Sequence, residues 1–190
     1  MVTFTILMEL ILLSKEQDNG MNKHEKSRKI AFFVETDVDE IIVTNFAERV
    51  LSSSVYFNTI QMDIDIAAFC AASGVIIDLL PRNYQHFFIL FDTNTTDEEQ
   101  IAYYQRLIAD PIKKEGLLDY VTFCPIVPNI GAWLLDYYEL PKKRFGPEFD
   151  LPKIEEVASQ IDINMLKQKN ASFNQFAQAL QTMSLQKIAA

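Results

Sequence analysis

Two carboxylates stand where apolar strands give out. Glu35 follows the run IAFFV at residues 30–34, and Asp92 follows HFFILF at residues 86–91. Such uninterrupted apolar runs are the pattern of strands covered on both faces. In parallel α/β sheets, ligands bind at the carboxyl ends of the strands. If these two strands are neighbours, Glu35 and Asp92 face one crevice, with Asp39 and Asp97 close behind on helix starts. A few carboxylate oxygens suit a hard divalent ion such as Mg²⁺, which prefers octahedral oxygen ligation and keeps several waters. An ion held in this way activates a nucleophile and neutralises charge on a transferring phosphoryl group. The chemistry implied is that of phosphate esters.

Acidic residues at helix starts have a second explanation. Aspartate and glutamate in a first turn cap free amides and oppose the helix dipole. Asp37, Asp39, Glu40, Asp97, Glu98 and Glu99 all fit that role or a solvated surface. Glu35 and Asp92 fit it less well, because each directly follows an almost wholly apolar strand.

The elements that must position these residues are readable in order. After Glu35, either Thr36 with Asp39 or Asp37 with Glu40 makes a capping box for a helix over 39–51, with Ile42, Phe46 and Val50 at helical spacing. Residues 55–60 alternate as a second strand. Asp65 is a cap for a helix over 66–80, with Ile66, Phe69, Cys70, Ser73, Ile77 and Leu80 on one face and Pro81 as its stop. Beyond Asp92, Thr96 and Glu99 form a capping box for a helix presenting Ile101, Tyr104, Leu107 and Ile108. A strand over 120–127 contains Pro125, so it lies near a sheet edge or ends there. Asn129 caps a short helix carrying Trp133 and Leu134. Residues 141–152 (PKKRFGPEFDLP) read as a loop or linker, and helical pieces follow, including 172–183 with the stripe Phe173, Phe176, Ala177 and Leu180. This order predicts an α/β fold with a mainly parallel sheet of about four strands and helices on both faces. The chain divides into an N-terminal extension (1–28), an α/β core (29–140), and a linker with C-terminal helices (141–190).

Composition narrows the classes. The 190 residues carry a formal net charge of -9, so the chain as a whole has no electrostatic attraction for nucleic acid or anionic membrane. A nucleic-acid contact needs a local basic patch or bridging metal ions. Lys23, Lys26, Arg28 and Lys29 make one basic cluster, and Lys142, Lys143 and Arg144 another; each reads as solvated surface or as a phosphate contact. Residues 1–13 are apolar but lack a basic start and a cleavage site, and fall far short of the ~20 residues of a membrane helix. Residues 1–20 are therefore a dispensable extension or a short element packed on the domain. Cys70 and Cys124 lie in apolar runs and read as buried free thiols. His24 and His86 lack the partner spacing of a metal or triad site and read as structural. There is no glycine-rich phosphate loop, nucleophile elbow or Cys-x-x-Cys. The expectation is a soluble cytoplasmic protein with no membrane partner.

The blocks VETDVDE (34–40), FFILFDTNT (87–95) and VPNIGAWLL (127–135) follow one another as do three blocks of Toprim-like proteins. The resemblance is to the OLD-type nucleases and their small relatives, and it spans about residues 29–140 through short, degenerate motifs. It implies a Toprim/Rossmann-like three-layer fold with a C-terminal helical appendix, and a Mg²⁺-dependent nuclease activity. On this resemblance Glu35 is the strand-end glutamate, a general acid/base or metal-associated residue. Asp39 resembles the second acid, Asp92 the first aspartate of Asp-x-Asp, and Asn94 the position of the second. Three departures count against activity: Thr36 replaces a glycine, Asn94 an aspartate, and Gly131 a glutamate. Asparagine offers a metal only a neutral oxygen. The loop 92–96 is also similar to the nucleophile loop of haloacid-dehalogenase-type phosphatases and to the metal loop of von Willebrand A-type domains. Both families place that loop after their first strand, which this chain does not.

Two functions stay open at this level. One is a Toprim-like metal-dependent phosphoryl-transfer enzyme, a nuclease in DNA repair or defence, active, weakened or inactive, with Glu35 as acid/base and Asp92, Asp39 and Asn94 around the metal. The other is a non-catalytic interaction module on the same scaffold, with the Phe173/Phe176/Leu180 stripe binding a protein partner or a second copy. For that stripe the competing role is to cover the domain's own sheet.

Overall fold

The computed structural model describes residues 28–62, 66–135 and 151–185. In chain order the elements are β1 (Arg28–Val34), α1 (Asp37–Val50), β2 (Val55–Gln61), α2 (Ile66–Phe69), α3 (Ala72–Leu79), β3 (Tyr84–Asp92), α4 (Glu98–Lys114), β4 (Val121–Ile126), α5 (Ala132–Leu135), α6 (Leu151–Gln160), α7 (Ile163–Lys169) and α8 (Ala171–Leu185). Single 3-10 turns at Leu80–Arg82 and Leu118–Tyr120 lead into β3 and β4.

The four strands form one all-parallel sheet in the order β2-β1-β3-β4. Strand residues alternate between its faces, so each central strand feeds two cores. Ile30, Phe32 and Val34 of β1, with Phe88 and Leu90 of β3, pack under α1 and the helices after β4. Ala31 and Phe33, with Phe87, Ile89 and Phe91, pack under α2, α3 and α4. The result is the expected three-layer α/β arrangement. Both faces of β1 and β3 must be apolar, which is why these strands read as unbroken hydrophobic runs. The edge position of β4 accommodates Pro125, as its missing N–H predicts.

The C-terminal helices complete one of these cores. Phe173, Phe176, Ala177 and Leu180 of α8 are fully buried beside Phe32, Phe46, Phe88 and Trp133. Phe176 stacks on Trp133 at 5.3 Å, and Phe173 meets Phe46 edge-on at 5.1 Å. The stripe thus covers the domain's own sheet and is not a surface for a partner.

Four local expectations are corrected. The helix expected over 66–80 is broken by a turn at Cys70–Ala71, and Asp65, its expected cap, lies outside the described residues. The break shifts the phase, so Ala72, Ile76 and Leu79 are buried while Ile77 is 45% exposed. The cap of α4 is Asp97, whose Oδ1 accepts from the Glu99 and Gln100 amides, and not the neighbouring Thr96. The buried face of α4 runs through Ile108 and Ile112, leaving Leu107 38% exposed. Finally, α6 begins at Leu151, inside the stretch read as linker; Pro152 at the start of a helix lacks only an amide that has no intrahelical partner there. Among the described residues no helix is long and apolar enough to cross a membrane.

Candidate functional site

Glu35 leaves β1 at its carboxyl end and is 8% exposed. Phe33 pairs with Ile89 across the β1–β3 ladder, so the chain just past Val34 runs beside Phe91 and Asp92. The Asp92 amide donates to Glu35 Oε1 at 2.8 Å. The two residues are therefore brought together, as neighbouring strands require. Their place in the sheet is specific. From β1 the chain moves outward to β2 through α1 on one face, and then returns to β3 through α2 and α3 on the other. The crevice between β1 and β3 is the topological switch point, where doubly wound sheets bind ligands.

Asp39, 4% exposed, closes the capping box of α1. Its Oδ2 accepts from the Thr36 amide at 2.8 Å and the Glu35 amide at 3.2 Å, while the Asp39 amide donates to Thr36 Oγ1 at 3.3 Å. Thr36 supplies a capping hydroxyl that a glycine at this position would lack. Burial raises the Asp39 pKa, outweighing the amide bonds that lower it, and the charge of Asp37 adds to the rise.

Asp92 ties the next loop in. Its Oδ1 accepts from the Ile130 amide at 2.8 Å. The Asp92 carboxyl is pushed up to about 8, first by burial and then by the charges of Asp39 and Glu35, with the Ile130 amide opposing. Three acids thus crowd one small region, and each holds a main-chain N–H from a different part of the sheet's carboxyl edge.

Thr93 and Asn94 fix the geometry of that edge. The Thr93 amide donates to Ile126 O at 3.0 Å and the Asn94 amide to Pro128 O at 2.6 Å, joining the loop after β3 to the turn after β4. The buried Thr93 hydroxyl faces Thr95 O at 2.8 Å, Ile126 O at 3.1 Å and Pro128 O at 3.3 Å. Asn94 is exposed and has φ 51°, a left-handed conformation that asparagine tolerates better than most side chains. Its identity has a backbone reason. Gly131 is buried in the turn ahead of α5, where its carbonyl accepts from the Leu134 amide.

The remaining polar candidates have structural roles. His86 Nε2 pairs with Thr122 Oγ1 at 2.8 Å, and burial lowers its pKa to about 4, so the ring is neutral at physiological pH. Cys124 is buried, with its thiol pushed up to about 12 by burial, while Cys70 is half-buried with Sγ 3.6 Å from Leu107 O. At the opposite end of β1, Arg28 donates to Met183 O, and the Lys29 ammonium lies 4.5 Å from the Tyr84 ring centre. His24, Lys23, Lys26, Lys142, Lys143 and Arg144 lie outside the described residues.

The three loops at the carboxyl edge, 35–39, 92–98 and 127–131, contain no lysine or arginine. The helix starts beside them are closed by their own acids, Asp39 at α1 and Asp97 at α4, so neither presents an open anion site. Among the described residues no three His, Cys, Asp or Glu side chains are grouped to hold a metal ion. Mg²⁺ needs no such cage, because it binds through one or two carboxylates and retains water. The all-oxygen donor set of Glu35 and Asp92 fits that requirement, and their crowding is the charge arrangement that a cation relieves.

Fold and site together define a class: a doubly wound α/β domain with acidic residues at its switch point. Neither a family model, a curated protein nor a solved structure matches the chain.

Proposed function

We propose that this chain is a Toprim-like, divalent-metal-dependent phosphoryl-transfer enzyme, a nuclease of DNA repair or defence. The observation that carries the reading is the Glu35–Asp92 juxtaposition at the β1/β3 switch point. A cation between these carboxylates and an anionic substrate would offset their mutual repulsion. Glu35 and Asp92 are the residues that hold Mg²⁺, which when bound supplies charge neutralisation at phosphorus and an activated nucleophile.

The chain's own contribution is orientation and proton handling. The Asp92 amide fixes one oxygen of Glu35, which orients the carboxyl for acid/base work. Asp39 supports it from behind by holding the Glu35 and Thr36 amides. Its Oδ2 holds both of those amides, which makes Asp39 the brace of the Glu35 turn. Asn94 contributes through the shape of its loop.

Glu35→Gln keeps an oxygen for the Asp92 amide and is expected to fold within about 1 kcal/mol of wild type. It is expected to lose Mg²⁺-dependent cleavage of single- and double-stranded DNA. Wild type that cleaves neither substrate with Mg²⁺ or Mn²⁺ between pH 6 and pH 9 overturns the enzyme reading.

One observation favours the second reading, a non-catalytic module on this scaffold. Each of the three acids already serves as a latch for a main-chain amide. A partner would then use a surface other than the Phe173/Phe176/Leu180 stripe, which is inside the core.

A further inference from the structure

We infer that Thr93 is a positioning residue for this site, its buried hydroxyl setting the turn that aims the Ile130 amide at Asp92. The inference rests on the functional reading above for what Asp92 does, but not for the geometry. Thr93 immediately follows Asp92 and is 2% exposed. Three carbonyl oxygens converge on its Oγ1, from Thr95 in its own loop and from Ile126 and Pro128 in the turn after β4. The single O–H can donate to one of these oxygens or be shared between two, so the hydroxyl is the donor at a point where acceptors otherwise crowd.

The two main-chain bonds from Thr93 and Asn94 join the same loops, but neither reaches Thr95. The hydroxyl is thus the group that links the curl of the β3–α4 loop to the turn after β4. Two residues beyond Pro128, the Ile130 amide meets Asp92 Oδ1. A shift of the turn therefore moves the donor that orients this carboxyl. No side chain of the 127–131 segment touches Asp92 in the described hydrogen bonds, so its hold on Asp92 runs through the backbone.

Thr93→Val keeps the shape and replaces the donor with a methyl group facing three carbonyls. Amide hydrogen exchange, measured without metal, is expected to show Ile130 losing about tenfold or more of its protection in Thr93→Val. The strand amides of Phe32 and Phe88 are expected to change less, and Thr93→Ser to return Ile130 to the wild-type rate. If Thr93→Val does not fold, Thr93→Ala is read by the same criteria. Unchanged protection at Ile130 overturns the inference, as does a uniform loss across Ile130, Phe32 and Phe88 that merely follows global stability. Failure of wild type to bind Mn²⁺ overturns the enzyme reading but leaves the exchange result as the test of Thr93.

Discussion

Phe176→Ala is expected to destabilise the protein by about 4 kcal/mol, read as a shift in the midpoint of denaturant unfolding with little change in its slope. Phe176 is fully buried where α8 meets the sheet. Its ring stacks on Trp133 at 5.3 Å and meets Phe32 at 6.0 Å and Phe88 at 6.5 Å, both edge-on. Truncation removes the transfer free energy of the ring and leaves a cavity walled by other large aromatics. Those walls belong to β1, β3 and α5 and cannot collapse without moving the sheet. For a domain with about 5–15 kcal/mol of total stability, this is a large share. A loss below about 1 kcal/mol contradicts the assignment of α8 as the cover of this face. It would return the aromatic stripe to consideration as a binding surface.

Asp92→Asn is expected to act in the opposite direction and stabilise the fold. The Asp92 carboxyl is raised to about 8 in the folded chain from its ordinary value of 3.8. Between those two values the folded state keeps a proton that the unfolded state has released, so stability falls as pH rises through the window. Below the lower value the effect vanishes; above the higher value the penalty is complete. Asparagine keeps an oxygen for the Ile130 amide and carries no charge to be buried beside Asp39 and Glu35. The gain is expected to be about 2 kcal/mol at pH 8 to 9 and to disappear near pH 3.5. In melting temperature it corresponds to roughly 4–8 °C for a chain of this size. Equal pH dependence in wild type and variant contradicts the crowded-carboxylate account. A residue that lowers stability where a neutral isostere raises it is what a functional group, and not a latch alone, leaves behind.

The parts of this fold that were legible in the sequence are those whose constraint is local. IAFFV and the run through FFILF are apolar at every position because β1 and β3 are covered on both faces. Pro125 marked the edge strand, and Thr36 with Asp39 marked the start of α1. The break after α2 was hidden because Ala72, Ile76 and Leu79 lie one position before Ser73, Ile77 and Leu80. Both sets fit a helical face, and only tertiary packing chooses between them. Thr96 and Asp97 are adjacent capping residues, so propensity alone could not separate them.

The site divides the same way. Glu35 and Asp92 were readable because each interrupts an apolar strand at its carboxyl end. Their adjacency required the strand order, which no local pattern carries. The Ile130 amide that holds Asp92 is a main-chain group and leaves no trace in residue type. Thr93 gave no signal either, since a threonine after a strand is ordinary until the three carbonyls around it are known. Asn94 read as a weakened metal ligand, and the structure gives it a conformational reason as well.

Paramagnetic line broadening tests most directly whether Glu35 and Asp92 hold a divalent cation. Mn²⁺ titrated into ¹⁵N-labelled protein at pH 8.5 is predicted to broaden saturably the amides of residues 35–39, 92–94 and 129–131. Asp92→Asn is predicted to abolish the effect, and excess Mg²⁺ to reverse it. Broadening that never saturates, or that centres on other acidic surfaces and leaves these three loops sharp, contradicts the account.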